Sequence, residues 1–359
     1  MRFCSQLTND PTLTKLIGSL SSLGKVCWMR LQDDLVRFTI IPDQGTQVWA
    51  QLPVDSIFEQ DAYTLESNTG VINLEVPLGA LHRALRSAAN ASWVQLRLTK
   101  KGNIPLLALT IRTKSWTQAQ NAIGVHVNQG EQDDTTTTTT TPQGQEQGLG
   151  PRGQRERHTV ITQEVPVKIL HESAVEALHE PRCRDPDVHI ILPGLAQLKS
   201  ISERFTKLAA DDSSSSSSSS SGLSGAPTSA TTSVSPKLEL SANMHGSLRL
   251  AITTDKLRIS SVWTDLVNPA LDPSQLSQTQ LDQLPSERMR ALPGDDEAGW
   301  AKVRIDGKDW ARVLSVGRLN PKVVACFIHE TALILYVYLP GSWNEEDSCL
   351  TYYINSYLN

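Results

Sequence analysis

The chain has 359 residues, a formal charge of −5 and 39% hydrophobic residues. That is enough apolar content for folded domains, without the basic excess of a simple nucleic-acid coat protein. No apolar run is long enough to cross a bilayer, Met1-Arg2-Phe3-Cys4 leads into polar residues rather than a secretory core, and the five cysteines (Cys4, Cys27, Cys183, Cys326, Cys349) share no metal-ligand or redox spacing. Reduced thiols in an intracellular protein are expected.

In chain order, Leu13, Leu16, Ile17, Leu20 and Leu23 form an apolar stripe that predicts an amphipathic helix over 12–25, started by Asp10-Pro11. Alternating strands follow at 26–31 and 35–41, turning at Gln32-Asp33-Asp34, then at 46–52 and 71–76. Leu78, Leu81, Leu85 and Ala88 predict a second helix over 78–90, followed by strands at 93–99 and 104–112. Residues 133–153 are Thr, Gln and Gly with seven consecutive threonines, and cannot bury enough apolar area to offset the entropy of ordering. A strand is predicted at 159–169 and a short helical stretch at 172–179, before the Pro- and Arg-rich segment 180–186.

After a strand at 188–192, Leu198, Ile201, Phe205 and Leu208 predict a third helix over 194–209. Residues 211–236, with nine consecutive serines, are expected to be unstructured. Strands at 238–242 and 247–253 follow, then 257–264 and 300–305. Trp310, Val313 and Leu314 mark a fourth helix over 306–318 that Asp306 is placed to cap. Strands at 323–328, 332–339 and 349–354 complete the chain. A helix followed by a hairpin thus recurs four times, which sets the architecture as a duplicated α+β chain of antiparallel sheets.

The four helical segments hold Lys15, Lys25, Arg83, Arg86, Lys199, Arg204, Lys207, Lys308, Arg312 and Arg318 against three acids, Glu203, Asp306 and Asp309. Ten against three is a surplus of seven positive charges, so the rest of the chain carries −12. A fold that gathers the helices on one surface makes that surface basic on an acidic body.

Enzyme signatures are missing from the sequence. It has no phosphate-cradling loop, no His-Glu-x-x-His, no Cys-x-x-Cys and no nucleophile elbow. The carboxylate clusters lie in turns, where solvated charge explains them; Asp185 and Asp187 before a strand are the only pair that would suit a metal-dependent nuclease, and a domain-entry turn accounts for them better.

The fourfold unit and its basic helix faces resemble a sliding-clamp subunit, and among these the Hus subunit family of the nine-one-one checkpoint clamp. The resemblance rests on Met1-Arg2-Phe3, on Arg30-Leu31-Gln32-Asp33-Asp34-Leu35, and on Arg83-Ala84-Leu85-Arg86-Ser87-Ala88-Ala89-Asn90-Ala91 followed by Leu96-Arg97-Leu98-Thr99. It rests also on Val165-Pro166-Val167-Lys168-Ile169 and on Asp185-Pro186-Asp187-Val188 leading into Ile191-Leu192-Pro193. It implies a sliding-clamp fold of two similar domains with sheets outside and four helices on the inner face. Domain one would be 1–169 with an insertion at about 118–157, the interdomain connector 170–186, and domain two 187–359 with insertions at about 210–236 and 268–298.

The implied function is one subunit of a heterotrimeric ring that encircles DNA at damage sites and serves checkpoint signalling and repair, in the nucleus and without catalysis or cofactor. Its partners would be two paralogous clamp subunits, double-stranded DNA without sequence preference, an ATP-dependent loader, and checkpoint and repair proteins. DNA-facing residues would be Lys15, Lys25, Arg83, Arg86, Lys199, Arg204, Lys207, Arg312 and Arg318. A partner-peptide pocket beneath the connector would use Ile40, Ile41, Leu339 and Pro340. Edge strands carrying Ile161, Val165, Val167, Ile169, Leu257, Ile259 and Val262 would meet neighbouring subunits. Ser274, Ser277 and Thr279, each before Gln, are candidate phosphorylation sites. A homotrimeric replication-type clamp is the alternative, and a metal-dependent nuclease a remote one.

Overall fold

The computed structural model describes residues 1–42, 45–117, 155–176, 178–217, 237–269, 283–340 and 348–357. The first half contains β1 (Arg2–Gln6), α1 (Asp10–Leu20), β2 (Val26–Leu31), β3 (Leu35–Ile40), β4 (Gln47–Pro53), β5 (Thr64–Glu66), β6 (Ile72–Pro77), α2 (Leu78–Arg86), β7 (Trp93–Lys101), β8 (Ile104–Thr117), β9 (Arg155–Pro166) and β10 (Lys168–Ile169). After α3 (Glu172–Val175), the second half contains β11 (Val188–Ile191), α4 (Leu195–Ser217), β12 (Lys237–Asn243), β13 (Leu248–Thr253), β14 (Arg258–Trp263), α5 (Pro285–Arg290), β15 (Trp300–Asp306), α6 (Gly307–Val313), β16 (Lys322–Ile328), β17 (Ala332–Tyr338) and β18 (Cys349–Asn355).

Among the described residues the strands form three antiparallel sheets: β5-β1-β7-β8-β9, β14-β13-β12-β15, and a nine-stranded sheet β10-β6-β2-β3-β4-β18-β17-β16-β11. The large sheet joins the two halves through β4 and β18, paired from Gln51↔Cys349 to Gln47↔Tyr353. Period-two alternation sends one face of each strand into the core: Cys27, Met29 and Leu31 from β2, Val36, Phe38 and Ile40 from β3, Val48, Ala50 and Leu52 from β4. The same core runs on into the second half without a break.

The helices are shorter or longer than their apolar stripes suggest, for local reasons. Asn9 caps α1 through an acceptor bond from Thr12 N. The helix stops at Leu20 because Ser21 and Ser22 turn their hydroxyls back onto the carbonyls of Gly18 and Ser19. Ser87 does the same to Ala84 and ends α2 well before residue 90. Asp306 caps α6 as expected, accepting from the N–H groups of Lys308 and Asp309. That helix then tightens into a 3₁₀ turn over Leu314–Leu319, closed by Asn320 in the left-handed region. The third helix runs beyond residue 209 to Ser217.

Three further expectations also shift. The strand over 159–169 is two strands: β9 pairs with β8 as far as Pro166, and β10 crosses to pair with β6 in the large sheet. The polar stretch 268–298 is not wholly irregular, since α5 and a 3₁₀ turn at Glu297–Gly299 pack there. β1 and β5 were not expected, yet β1 buries Phe3 against Phe58 and Tyr63 in edge-on ring contacts of 5.8 and 5.7 Å.

Candidate nucleic-acid and partner interfaces

The helices form one continuous row. α1 packs on α2 within the first half and on the 3₁₀ turn Leu314–Leu319 across the junction, while α4 packs on that turn and on α6. Small residues allow the close approaches. A Cβ on Gly18 would lie 2.9 Å from His82 Nε2, so a larger residue there would have to push the imidazole aside. At the junction Ser19 Oγ donates to the Ser315 carbonyl (3.3 Å) and Ser22 Oγ meets Ser315 Oγ (3.1 Å). In the second half Trp310, fully buried, donates its indole N–H to Ser202 Oγ (3.1 Å) and ties α6 to α4.

Lys15, Arg83, Arg86, Arg204, Lys207, Lys308, Arg312 and Arg318 are exposed on these elements, and Lys199 is half-buried beside Glu203. Arg312 pairs with Asp309 at 3.1 Å. Lys25 is exposed but lies past the end of α1, where its carbonyl accepts from Leu78 N. The positive field spans the junction: the His82 imidazole is held below its ordinary pKa first by burial, then by Arg86 from the same half and Arg318 from the other.

The two candidate edge strands are outermost in their sheets, β9 in the five-stranded and β14 in the four-stranded sheet. Val160 (58% exposed), Ile161 and Val262 (53%) are solvent-facing apolar residues there. Ile259 is half-buried against the core, and Leu257 precedes β14. Val165 and Val167 point inward and are buried, so they belong to the core rather than to an outward contact; Ile169 is exposed, but on β10 in the large sheet.

Segment 170–187 runs from one edge of the nine-stranded sheet to the other, on the face away from the core. It starts at β10, where Leu170 N donates to the Asn73 carbonyl, and ends at β11, where Asp187 N donates to the Phe327 carbonyl. Tyr353 donates to Glu180 (2.9 Å) midway. At the far end Arg184 grips Asp187 with two bonds of 2.8 and 2.7 Å, and Asp187 also accepts from His329 N. Burial works to raise the Asp187 pKa, but Arg184 and the His329 N–H outweigh it and the carboxyl lies below its usual value. The Asp187 carboxylate is therefore taken up in closing a turn, while the Asp185 side chain beside it is exposed.

Beneath this segment lies a groove lined by Arg37, Thr39, Trp49 and Gln51 from the sheet and by Leu178 and His179 above it. The residues expected to line a pocket there do not meet. Ile40 and Leu339 are buried, at opposite ends of strands β3 and β17, with Ile41 and Pro340 exposed beside them. Their apolar character marks core, which spacing alone does not distinguish from pocket. Ser274, Ser277 and Thr279 lie outside the described residues.

Sequence reasoning did not single out the groove residues or a charged cluster on the second half, where Glu297 accepts from both Arg249 and Lys302. Those two cations draw its pKa down to about 2, and Arg249 also stacks on Trp300 at 4.7 Å. The polar residues alternating with core positions in β3 and β4, Arg37, Thr39 and Gln51, were the available signal for the groove.

The model of the Hus1-like protein family matches residues 1–358. The chain is 34% identical to checkpoint protein hus1 of Schizosaccharomyces pombe, over the whole length of both. It is 22% identical to checkpoint protein HUS1 of Homo sapiens, over 99% of each. In fold it is similar to the proliferating cell nuclear antigens of Entamoeba histolytica (TM-score 0.54, 10% identity, 99% of each chain) and Thermococcus kodakaraensis (TM-score 0.55, 13% identity, 99% of this chain and 100% of that one). The chain belongs to the Hus1-like protein family and has the sliding-clamp fold.

Proposed function

We propose that this chain is one of three different subunits that close a ring around duplex DNA and hold checkpoint and repair proteins at damage. The observation that carries the reading is the unbroken helix row, with exposed cations on all four helical elements of a chain whose net charge is −5. In such a ring the row lines the hole. Lys15, Arg83, Arg86, Arg204, Lys207, Arg312 and Arg318 meet phosphates, joined by Lys199 and Lys25 at the margins. Contacts of this kind neutralise backbone charge and carry no base readout, so retention falls with salt.

The two clamp domains are 1–169 and 187–359, joined by the connector 170–186. Val160, Ile161 and Val262 on the free edges of β9 and β14 make the seams with the two paralogous subunits, where pairing covers edges that would otherwise invite aggregation. Loading is left to a separate ATP-dependent loader, and the chain acts in the nucleus as a scaffold without a reaction of its own.

The test is retention on DNA. The chain is co-expressed with the two paralogous subunits, loaded on nicked circular DNA, and the DNA is then linearised. Arg83→Glu with Arg86→Glu should shorten retention on the circle and flatten its salt dependence, with the trimer intact. Unchanged retention removes α2 from the DNA surface.

A further inference from the structure

We propose that Glu297 is a positioning residue for the free edge of β14: by holding Arg249 away from that strand, it leaves Val262 bare for a neighbouring clamp subunit. The inference rests on the reading of β14 as a seam. On the face of the four-stranded sheet away from the core, one row of side chains crosses all four strands. Lys302 on β15 pairs with Ser241 on β12, Ser241 with Arg249 on β13, and Arg249 with Val262 on β14. The row alternates with the core-facing Val303, Leu240 and Leu250 and points the opposite way.

Directly opposed residues on antiparallel strands are neighbours, so Arg249 stands within reach of Val262. In the structure it leans the other way. Its Nε donates to Ser241 Oγ at 3.1 Å, and its guanidinium stacks on Trp300 at 4.7 Å. Its terminal nitrogens donate to the two Glu297 oxygens at 3.0 and 3.3 Å. Ser241 and Trp300 stand on β12 and β15, so these contacts draw the side chain away from β14. Val262 is left exposed.

Glu297 decides which way the arginine leans. Its fork of two charge-assisted bonds is the strongest of the three contacts. The carboxylate also accepts from Lys302 Nζ at 2.7 Å, and so neutralises two cations that share one row with Ser241 between them. It is held in place by the 3₁₀ turn Glu297–Gly299 that leads into β15, which Asp296 caps at Ala298 N. Lys302 is anchored as well, since its N–H donates to His329 Nδ1 at 3.1 Å and its carbonyl accepts from Glu330 N at 2.8 Å. Without the carboxylate, Lys302 and Arg249 repel, and the arginine is the one free to move. Its apolar stem then lies over Val262 and its charge stands at the edge. Charged side chains at a sheet edge are a device that resists a further strand. The end of the 268–298 insertion, where Glu297 stands, thereby keeps the edge open to pairing.

The experiment measures how tightly the full chain, immobilised for biolayer interferometry, binds the two paralogous subunits. Glu297→Ala should weaken binding about fivefold, the upper range for one cross-strand pair. Glu297→Gln, which keeps the length of the side chain without its charge, should weaken it by a smaller factor. Arg249→Met should bind as the parent does. Glu297→Ala with Arg249→Met should recover the parent's affinity, because no charge is left to move onto the edge; a turn that had merely lost its structure would not be rescued in this way. Parent affinity in Glu297→Ala, or a loss that Arg249→Met does not repair, overturns the proposal. Val262→Asp separates it from the seam reading. If that variant weakens binding and Glu297→Ala does not, the positioning role alone falls. If Val262→Asp binds as tightly as the parent, β14 is no seam and both fall.

Discussion

The hydroxyl oxygens of Ser22 and Ser315 lie 3.1 Å apart across the line where the two halves of the chain meet. Beside them Ser19 is fully buried and donates to the Ser315 carbonyl. Three small polar residues thus let α1 and the turn after α6 approach closely enough to make the helix row continuous. Ser19→Leu should overpack this contact and cost about 1–3 kcal/mol, read as a lower urea midpoint with an unchanged slope. Ser19→Ala should cost about 1 kcal/mol or less, the value of one long hydrogen bond.

The buried pair Trp310 and Ser202 offers a separate test in the second half. Ser202 Oγ accepts from the indole and donates to the Leu198 carbonyl at 2.7 Å. Ser202→Ala strands the indole N–H and should cost about 1–3 kcal/mol. Trp310→Phe removes the donor, so the double variant should be less destabilised than the sum of the singles. Additivity in chemical denaturation would mean the bond contributes nothing.

His189 predicts a pH dependence. It is 3% exposed on β11 and donates from Nε2 to the Pro269 carbonyl at 2.9 Å. Burial lowers its pKa, Arg290 adds to the lowering, and the Pro269 bond and Glu287 oppose it. The unfolded chain, with an ordinary pKa of about 6.5, therefore binds the proton more readily than the folded one. Stability is fully present above that pKa and is lost as pH falls below it. The urea midpoint should fall between about pH 7 and pH 5, and His189→Gln should flatten that fall. His82, also depressed, acts in the same direction, so the variant removes only part of the slope. Asp187 contributes at lower pH, below the ordinary carboxylate pKa of about 4. An identical pH profile in His189→Gln would show that the imidazole is not the responsible group.

The free edges should tolerate charge in the isolated chain and reject it in an assembly. Val160→Asp on β9 and Val262→Asp on β14 alter exposed side chains, and each should change the stability of the single chain by no more than about 0.5 kcal/mol. Each should also open one seam of the ring while the other two seams keep three subunits together; the variant carrying both changes should lose both seams, seen by size-exclusion chromatography with light scattering as a free chain beside a two-subunit product. Full trimer formation by the double variant would place the seams elsewhere.

The architecture was largely legible because its signal is local and repeated. The stripes of α1, α2 and α4 and the alternation in β2, β3 and β17 report which faces are buried, and burial is what the sheets and helices share. Helix ends were less legible: Ser21, Ser22 and Ser87 terminate helices by bending back to carbonyls, an alternative that an apolar stripe does not reveal. The four residues expected at a peptide pocket divide for a related reason, Ile41 and Pro340 being exposed while Ile40 and Leu339 are buried. Ile40 and Leu339 are apolar because they face the core, and only the register shows that they lie at opposite strand ends. The row from Lys302 to Val262 was invisible before β12–β15 were paired. Asp187 and Arg184, three residues apart, lie in a stretch readable as a turn, but the N–H that Asp187 accepts comes from His329, in a turn 142 residues away.

The most direct test of the account is the mass in solution of the purified chain, alone and after co-expression with the two paralogous clamp subunits. A single chain that enters a one-to-one-to-one assembly is the predicted result. A stable homotrimer of this chain alone, or a chain that ignores both companions, would contradict it.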